Sequence, residues 1–177
     1  MDKKELRSKY KLIRKSIIDK KKKSNDIVSL VLGMKEYLDA STIALYYPLE
    51  DEVDVIPLIQ KSLKDNKIVL LPKVISNQDM IFVKINSLDE VELSTHFNIY
   101  EPLSNEEYKD SIDLMVVPSI CASLSGYRIG YGKGYYDRYL VKHDVKNKVG
   151  ICFKECVIND DSFTSKYDIK MNRIIFK

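Results

Sequence analysis

Apolar residues recur along this 177-residue chain in two rhythms, one helical and one strand-like. Over residues 2–18, Leu6, Tyr10, Ile13 and Ile17 fall at three- and four-residue steps, which predicts an amphipathic helix. Its polar face carries Lys3, Lys4, Arg7, Lys11, Arg14 and Lys15. Ile27, Leu30, Val31, Met34 and Leu38 repeat the rhythm and predict a second helix over residues 24–38, capped by Ser24 or Asn25, with these five side chains facing the core. Short apolar runs follow at residues 42–47, 67–71, 80–84, 113–117 and 148–153, and each reads as a strand. Pro48, Pro72 and Pro118 stop three of them. Residues 55–64 read as a helix with Asp54 as N-cap, and residues 86–111 as a polar, irregular stretch. Strands interleaved with helical segments predict an α/β fold: a single three-layer-like domain over 1–177, with a mostly parallel twisted sheet flanked by helices in a Rossmann-like topology.

One stretch breaks both rhythms. Between residues 126 and 134 the chain runs Gly126-Tyr-Arg-Ile-Gly-Tyr-Gly-Lys-Gly134, with Gly130, Gly132 and Gly134 alternating with other residues. Glycine reaches backbone angles that other residues avoid, so such a run can turn successive N–H groups towards one point and form a concave anion site. Tyr135, Tyr136, Tyr139 and Leu140 then resume helical spacing, so the loop opens a helix whose N-terminus adds partial positive charge. Lys133 lies inside the run, Arg128 precedes it, and Asp137 falls in the first helical turn. A carboxylate beside a phosphate cradle is poorly placed unless a cation such as Mg²⁺ sits between them. The run is not a Walker A loop, because Tyr127 holds the first glycine position and Gly134 follows the lysine. It is not the dinucleotide fingerprint either, since the third glycine comes one residue early.

Composition narrows the class without naming a function. Hydrophobic residues make up 45% and charged residues 31%, as in an ordinary globular chain. The net charge of +3, from 29 basic and 26 acidic side chains, is too balanced to imply nucleic acid. No 18-residue apolar run is present, so no membrane partner is expected, and the Lys-rich N-terminus lacks the apolar core of a secretory signal. Cys121, Cys152 and Cys156 are an odd number and read as free thiols of a cytoplasmic protein. Cys152 and Cys156 lie four apart, but no second ligand pair accompanies them. Lys20 to Lys23 read as a solvated run beyond the first helix, and neither His96 nor His143 is assigned a role.

Arg128-Ile-Gly-Tyr-Gly-Lys-Gly-Tyr-Tyr-Asp137 closely resembles the motif of the 5-formyltetrahydrofolate cyclo-ligase family. Weaker matches follow in order along the chain. Lys3-Lys4-Glu5-Leu6-Arg7 is similar to the family's Lys-x-x-x-Arg element, which reaches the nucleotide, although such spacing is common in helices. Glu52 falls in the dense acidic loop after the first strand, where a family glutamate contacts the folate. Leu71, Pro72, Val74, Met80 and Phe82 resemble a further family passage, and residues 167–175 its closing one.

The resemblance implies an ATP- and Mg²⁺-dependent enzyme that converts 5-formyltetrahydrofolate to 5,10-methenyltetrahydrofolate. It implies an ATP site of Lys3, Lys4, Glu5, Leu6, Arg7, Arg128, Ile129, Gly130, Tyr131, Gly132, Lys133, Gly134, Tyr135 and Tyr136, with Lys133 and Arg128 as the catalytic cations. Tyr47, Glu52, Tyr131, Gly132, Lys133, Gly134 and Tyr135 are the implied folate contacts, and Asp137 and Asp168 the implied Mg²⁺ ligands. Tyr46 and Tyr47 either line that pocket or pack in the core. Three departures stand out: Ala122-Ser123 replaces a pair such as Phe-Asp, Asn172 stands where aspartate is common, and Tyr167 where histidine is. They alone support a rival reading, a folate- or nucleotide-binding homologue without turnover. A second rival is a nucleic-acid binder using the Lys-rich first helix and the tyrosine-rich loop. The expectation is a monomeric enzyme with ATP and 5-formyltetrahydrofolate as its partners.

Overall fold

The computed structural model describes residues 1–95 and 98–177; His96 lies outside the described residues. Its centre is a six-stranded sheet. The strands are β1 (Thr42–Ala44), β2 (Ile68–Val74), β3 (Met80–Ile85), β6 (Ile112–Pro118), β9 (Val145–Cys152) and β11 (Arg173–Phe176). They lie side by side in the order β11-β9-β6-β1-β2-β3. All neighbours are parallel except β2 and β3, which form an antiparallel edge hairpin. Counting only the parallel strands, the order is 2-1-3-4-5, a doubly wound arrangement of the Rossmann-like kind expected. It reverses between β1 and β6, and ligands in such sheets bind at the carboxyl ends of the strands flanking that switch point.

Alternation along the strands splits the core in two. Ile43, Val69, Leu71, Leu114, Val116 and Val149 join one apolar cluster. It is shared with α1 (Lys3–Ser16), α2 (Lys20–Leu32) and α4 (Ile56–Lys64) through Leu6, Tyr10, Ile27, Val31, Leu58 and Ile59. Ala44, Leu70, Phe82, Met115 and Val117 join a second cluster, closed by Tyr139 of α5 (Tyr135–Lys142) and by Met171. The three layers are therefore helices, sheet, and α5 with the closing segment. A small sheet pairs β7 (Cys121–Ser123) with β8 (Arg128–Ile129) and β10 (Val157–Ile158).

Five expectations need correction. The second helix begins at Lys20 and breaks at Gly33, with α3 (Lys35–Asp39) beyond the break; Leu30, ahead of the break, and Leu38, beyond it, are both exposed. Lys20 to Lys23 form its first turn rather than trailing α1, and Ser24 is no cap: it is buried and accepts a hydrogen bond from the Asp54 N–H at 3.0 Å. The residue flanking α4 is Val55, although the Asp54 carboxylate still accepts from the Ile56 N–H at 3.0 Å. Pro72 does not end its strand. β2 runs on to Val74 because its pairing with β1 stops at Leu70, and a proline beyond that point interrupts no ladder on that side. Finally, residues 86–111 contain an antiparallel pair, β4 (Val91–Leu93) with β5 (Tyr100–Pro102). Buried Glu101 pins it by accepting from the Val74 N–H at 3.0 Å, and Lys73 donates to the Pro102 carbonyl at 2.7 Å.

Candidate active site

A cleft of about 780 Å³ opens at the carboxyl ends of β1 and β6, at the topological switch point. Its floor is the loop from Gly130 to Gly134. Gly132 (φ 95°) and Gly134 (φ 70°) occupy the left-handed region that side chains avoid, so here the glycines are a requirement of the path. Gly134 is the residue before α5 and no side chain caps that helix, which leaves its first N–H groups free to meet an anion. Lys133 is exposed at the cleft and makes no ion pair among the described residues. Arg128 is buried at 7% exposure, lies over the Tyr136 ring at 5.4 Å and reaches Asp137 at 3.4 Å; its Nε has no partner.

Helix α1 forms the next wall. Asp2 and Glu5 close a reciprocal capping box that fixes where the helix begins. Lys3, Arg7 and Arg14 follow one another at steps of four and seven, so they stack along one helix face. Each is tied to a different part of the site. Lys3 pairs with Asp168 at 2.5 Å, Arg7 donates through Nε to the Gly130 carbonyl at 2.9 Å, and Arg14 donates to Asp51 at 2.8 and 3.0 Å. The Arg7 guanidinium lies so close above Gly132 that a Cβ there would sit 3.0 Å from its Cζ. Of the residues implied for ATP, Lys3 and Arg7 therefore line the cleft. Lys4 is exposed, Glu5 serves the capping box and Leu6 packs in the core, so these three are not brought to it.

At the other end stands Glu52, 7% exposed. Burial pushes its carboxyl above the ordinary carboxylate range, against the Leu49 N–H, the Arg14 charge and the Tyr131 hydroxyl, which favour ionisation. Its Oε1 accepts from the Tyr131 hydroxyl and its Oε2 from the Leu49 N–H, both at 2.9 Å. Tyr46 is buried and also lines the cleft, and its hydroxyl donates to the Val53 carbonyl at 2.9 Å. Tyr47 meets the Tyr100 ring with centroids 4.6 Å apart. The two readings of this tyrosine pair thus both hold: Tyr46 and Tyr47 line the cleft, Tyr46 buried in the core and Tyr47 packed against it.

Asp137 and Asp168 line the same cleft. Asp137 Oδ1 accepts from the Ile169 N–H at 3.1 Å, which joins α5 to the residue after Asp168. Burial opposes ionisation of Asp168, but Lys3 and the Ser165 N–H and hydroxyl outweigh it and hold the carboxyl below its usual range. Two carboxylates and no third acidic, histidine or cysteine partner among the described residues form a sparse set of hard oxygen donors. That set fits Mg²⁺, which keeps several waters and takes phosphate oxygens to complete its shell.

Sequence reasoning missed three contributors. Arg14 was expected on a solvated face, yet it is 2% exposed. The signal was its seven-residue step from Arg7 along the border of the apolar stripe. Tyr100 and Ile99 come from the stretch expected to be irregular, where no periodicity marks them. The departures at Ala122-Ser123 and Asn172 lie elsewhere. Ala122 and Ser123 are buried in β7, and Asn172 Oδ1 accepts from the Lys148 N–H at 2.7 Å while the Asn172 N–H donates to the Lys148 carbonyl at 2.8 Å. Asn172 therefore fastens the start of β11 to β9 and does not line the cleft. Tyr167 does line it, with its side chain exposed.

Comparison with known proteins agrees with this geometry. The model of the 5-formyltetrahydrofolate cyclo-ligase family matches residues 1–177. The 5-formyltetrahydrofolate cyclo-ligase of Mycoplasma pneumoniae is 32% identical over 136 residues, covering 76% of this chain and 71% of that protein. The mouse protein of the same name is 27% identical over 160 residues, 83% and 78% of the two chains. The structure of Aquifex aeolicus 5,10-methenyltetrahydrofolate synthetase superposes with a TM-score of 0.83 at 30% identity, covering 99% of this chain and 90% of that one. That of the 5,10-methenyltetrahydrofolate synthetase from Mycoplasma pneumoniae gives 0.76 at 26% identity, covering 99% and 98%. With its glycine loop, its α1 cations and its buried glutamate all opening on one cleft, the chain belongs to the 5-formyltetrahydrofolate cyclo-ligase family, a family of ATP-dependent ligases.

Proposed function

We propose that this chain converts 5-formyltetrahydrofolate and ATP to 5,10-methenyltetrahydrofolate, ADP and phosphate. The observation that carries the reading is the shared cleft: an anion cradle ringed by Lys3, Arg7, Arg128 and Lys133 faces a buried, hydrogen-bonded carboxylate across one cavity. The formyl carbon on N5 is an amide-like, poor electrophile, and its oxygen is a poor leaving group. Transfer of the γ-phosphoryl group to that oxygen corrects both. A P–O bond forms and ADP departs; N10 then attacks the carbon, loses its proton, and the C–O bond breaks with release of phosphate.

Such a reaction asks the protein for alignment and charge neutralisation rather than covalent participation. The N–H groups of Gly130 to Gly134 and of the first turn of α5 would hold the triphosphate. Lys133 and Arg128 would offset the charge that grows on the transferring group, and Lys3 and Arg7 would grip phosphate from the α1 side. Glu52, Tyr131 and Tyr47 would hold the folate ring system by hydrogen bonding and stacking. Asp137 and Asp168 would hold Mg²⁺, which neutralises phosphate charge when bound; Lys3 would then exchange its contact with Asp168 for one with phosphate. Neither histidine is assigned a role as base.

The reading extends to a cytoplasmic monomer acting as one unit over residues 1–177. All three cysteines are buried and unpaired, in keeping with a reducing compartment. Among the described residues no helix is long and apolar enough to cross a membrane. The test is an assay of purified protein with MgATP and 5-formyltetrahydrofolate, followed by near-ultraviolet absorbance of the methenyl product. ATP-dependent growth of that band is expected. Folate binding with no turnover would instead favour the non-catalytic homologue, and salt-sensitive binding of a random oligonucleotide in its place would favour the nucleic-acid reading.

A further inference from the structure

The Arg14 guanidinium is 2% exposed, and its partners lie in two other segments. Nη2 lies 2.8 Å from Asp51 Oδ2 and 2.6 Å from the Tyr131 hydroxyl, Nε lies 3.0 Å from the same Asp51 oxygen, and Nη1 is buried with no partner. The Tyr131 hydroxyl is in turn 2.9 Å from Glu52 Oε1. Hydrogen-bond polarity fixes the direction of this chain. A guanidinium has five donors and no acceptor, so the Tyr131 oxygen must accept from Arg14. Its single proton then goes to Glu52. Glu52 Oε2 receives the Leu49 N–H on its other side. Both carboxylate oxygens are thus held as acceptors, and the lone pairs that remain suit N–H donors entering from the cleft.

We propose that Arg14 is a positioning residue which, through the Tyr131 hydroxyl, holds Glu52 as an ionised acceptor for the adjacent N–H donors of the folate's aminopyrimidinone ring. The inference rests on the cyclo-ligase reading for the identity of that ring. The unpartnered Nη1 argues against packing as the sole reason for the arginine, because a buried orphan donor is destabilising unless the charge is needed. The groups facing Glu52 come from every element around it: Arg14 of α1, Asp51 beside it, Tyr131 of the glycine loop, Tyr46 after β1 and Tyr136 of α5. Burial and Asp51 disfavour the charged carboxylate, and Asp51 is itself engaged by Arg14. Arg14 and Tyr131 are the side chains among them that favour it.

The experiment compares wild type with Arg14→Met, Arg14→Lys and Tyr131→Phe, each checked for folding by thermal melting. Two quantities are read against pH: kcat/KM for 5-formyltetrahydrofolate, and the equilibrium Kd for the same ligand without ATP. Loss of Arg14 raises the Glu52 pKa further, so the acidic limb of both profiles moves to higher pH in Arg14→Met. Its folate KM rises roughly tenfold near neutrality, the loss of one charge-assisted hydrogen bond, while kcat at saturating folate changes far less. Tyr131→Phe moves the limb in the same direction by a smaller amount, and Arg14→Lys restores much of it. A merely structural arginine would lower the melting temperature and leave both limbs where they were, and that result in folded Arg14→Met overturns the inference. If Arg14→Met does not fold, an unmoved limb in Tyr131→Phe, which deletes one oxygen, overturns it as well. A wild-type protein that binds 5-formyltetrahydrofolate with the predicted limb but forms no product would reject the enzyme reading and retain this one.

Discussion

At the glycine-loop end of the cleft the binding groups are backbone amides and long cations drawn from the N-terminal helix and the glycine loop; at the Glu52 end, buried Glu52 and Arg14 are already bonded to one another through the hydroxyl of the more exposed Tyr131. Lys133 stands exposed and unpaired among the described residues, and the first N–H groups of α5 lack a capping side chain. Glu52, Tyr131, Arg14 and Asp51 form a continuous chain of hydrogen bonds between 2.6 and 3.0 Å. The difference matches two kinds of ligand. A flexible polyphosphate, already charged and hydrated, needs field and donors that reorganise little. A rigid heterocycle needs acceptors held at one orientation before it arrives.

If the glycine-loop end acts on transferring charge, its mutants should lose rate, and mutants of the Glu52 end should lose affinity. Lys133→Ala is the largest expected effect. It removes a cation that makes no ion pair in the described structure, so the melting temperature should hold while kcat for methenyl formation falls by roughly a hundredfold or more. Full activity in that variant would leave the cradle without its proposed catalytic cation. Glu52→Gln comes next. Glutamine cannot accept from both Tyr131 and the Leu49 N–H with its two terminal atoms, so folate KM should rise roughly ten- to a hundredfold with the KM for ATP little changed. Equal effects on both substrates would erase the proposed division of labour.

The two ends also differ in how much of them could be read from the sequence. The glycine loop is local: spacing alone predicted a cradle, an adjoining helix and an acidic residue in its first turn, and α5 begins at Tyr135 as that spacing requires. Five strands of the sheet were equally legible, because each is a short apolar run, but the partly buried edge strand β11 was not among them. The Glu52 end draws on α1, the acidic loop and the glycine loop, three segments separated by 37 residues or more along the chain. No periodicity couples them. Arg14 is the sharpest case: as a charged residue in a Lys-rich helix it looked solvated, and only the packing of α1 against the acidic loop buries it. Tyr100 was hidden differently, in a strand of three residues too short to show alternation. Leu30 and Leu38 failed in the opposite sense: Leu30 falls outside the buried stripe of Ser24, Ile27, Val28 and Val31 within α2, and Leu38 lies beyond the break at Gly33.

Gly132→Ala sharpens the comparison at smaller scale. A side chain at φ 95° is strained by roughly 1–2 kcal/mol, and the new Cβ would press on the Arg7 guanidinium at 3.0 Å. Arg7 would have to give way and loosen its bond to the Gly130 carbonyl. A lower melting temperature and a several-fold rise in the KM for ATP are expected, with folate affinity measured without nucleotide nearly unchanged. A rise confined to the folate KM would mean that the loop belongs to the other ligand.

The smallest effect on catalysis is expected at Asn172, which shares a closing segment with Asp168 but faces away from the cleft. Its carboxamide oxygen and backbone N–H both engage Lys148, closing a two-bond link between the start of β11 and the middle of β9. Asn172→Ala leaves the Lys148 N–H without this acceptor and should cost about 1 kcal/mol, read as a lower denaturation midpoint at unchanged slope. Asn172→Asp keeps an acceptor oxygen in the same position and should recover most of the loss. In both variants activity per folded molecule, and its dependence on Mg²⁺ concentration, should match wild type. A shifted Mg²⁺ dependence in either variant would draw Asn172 into the metal-binding set, and the segment could no longer be divided into one residue that serves the cleft and one that fastens the sheet.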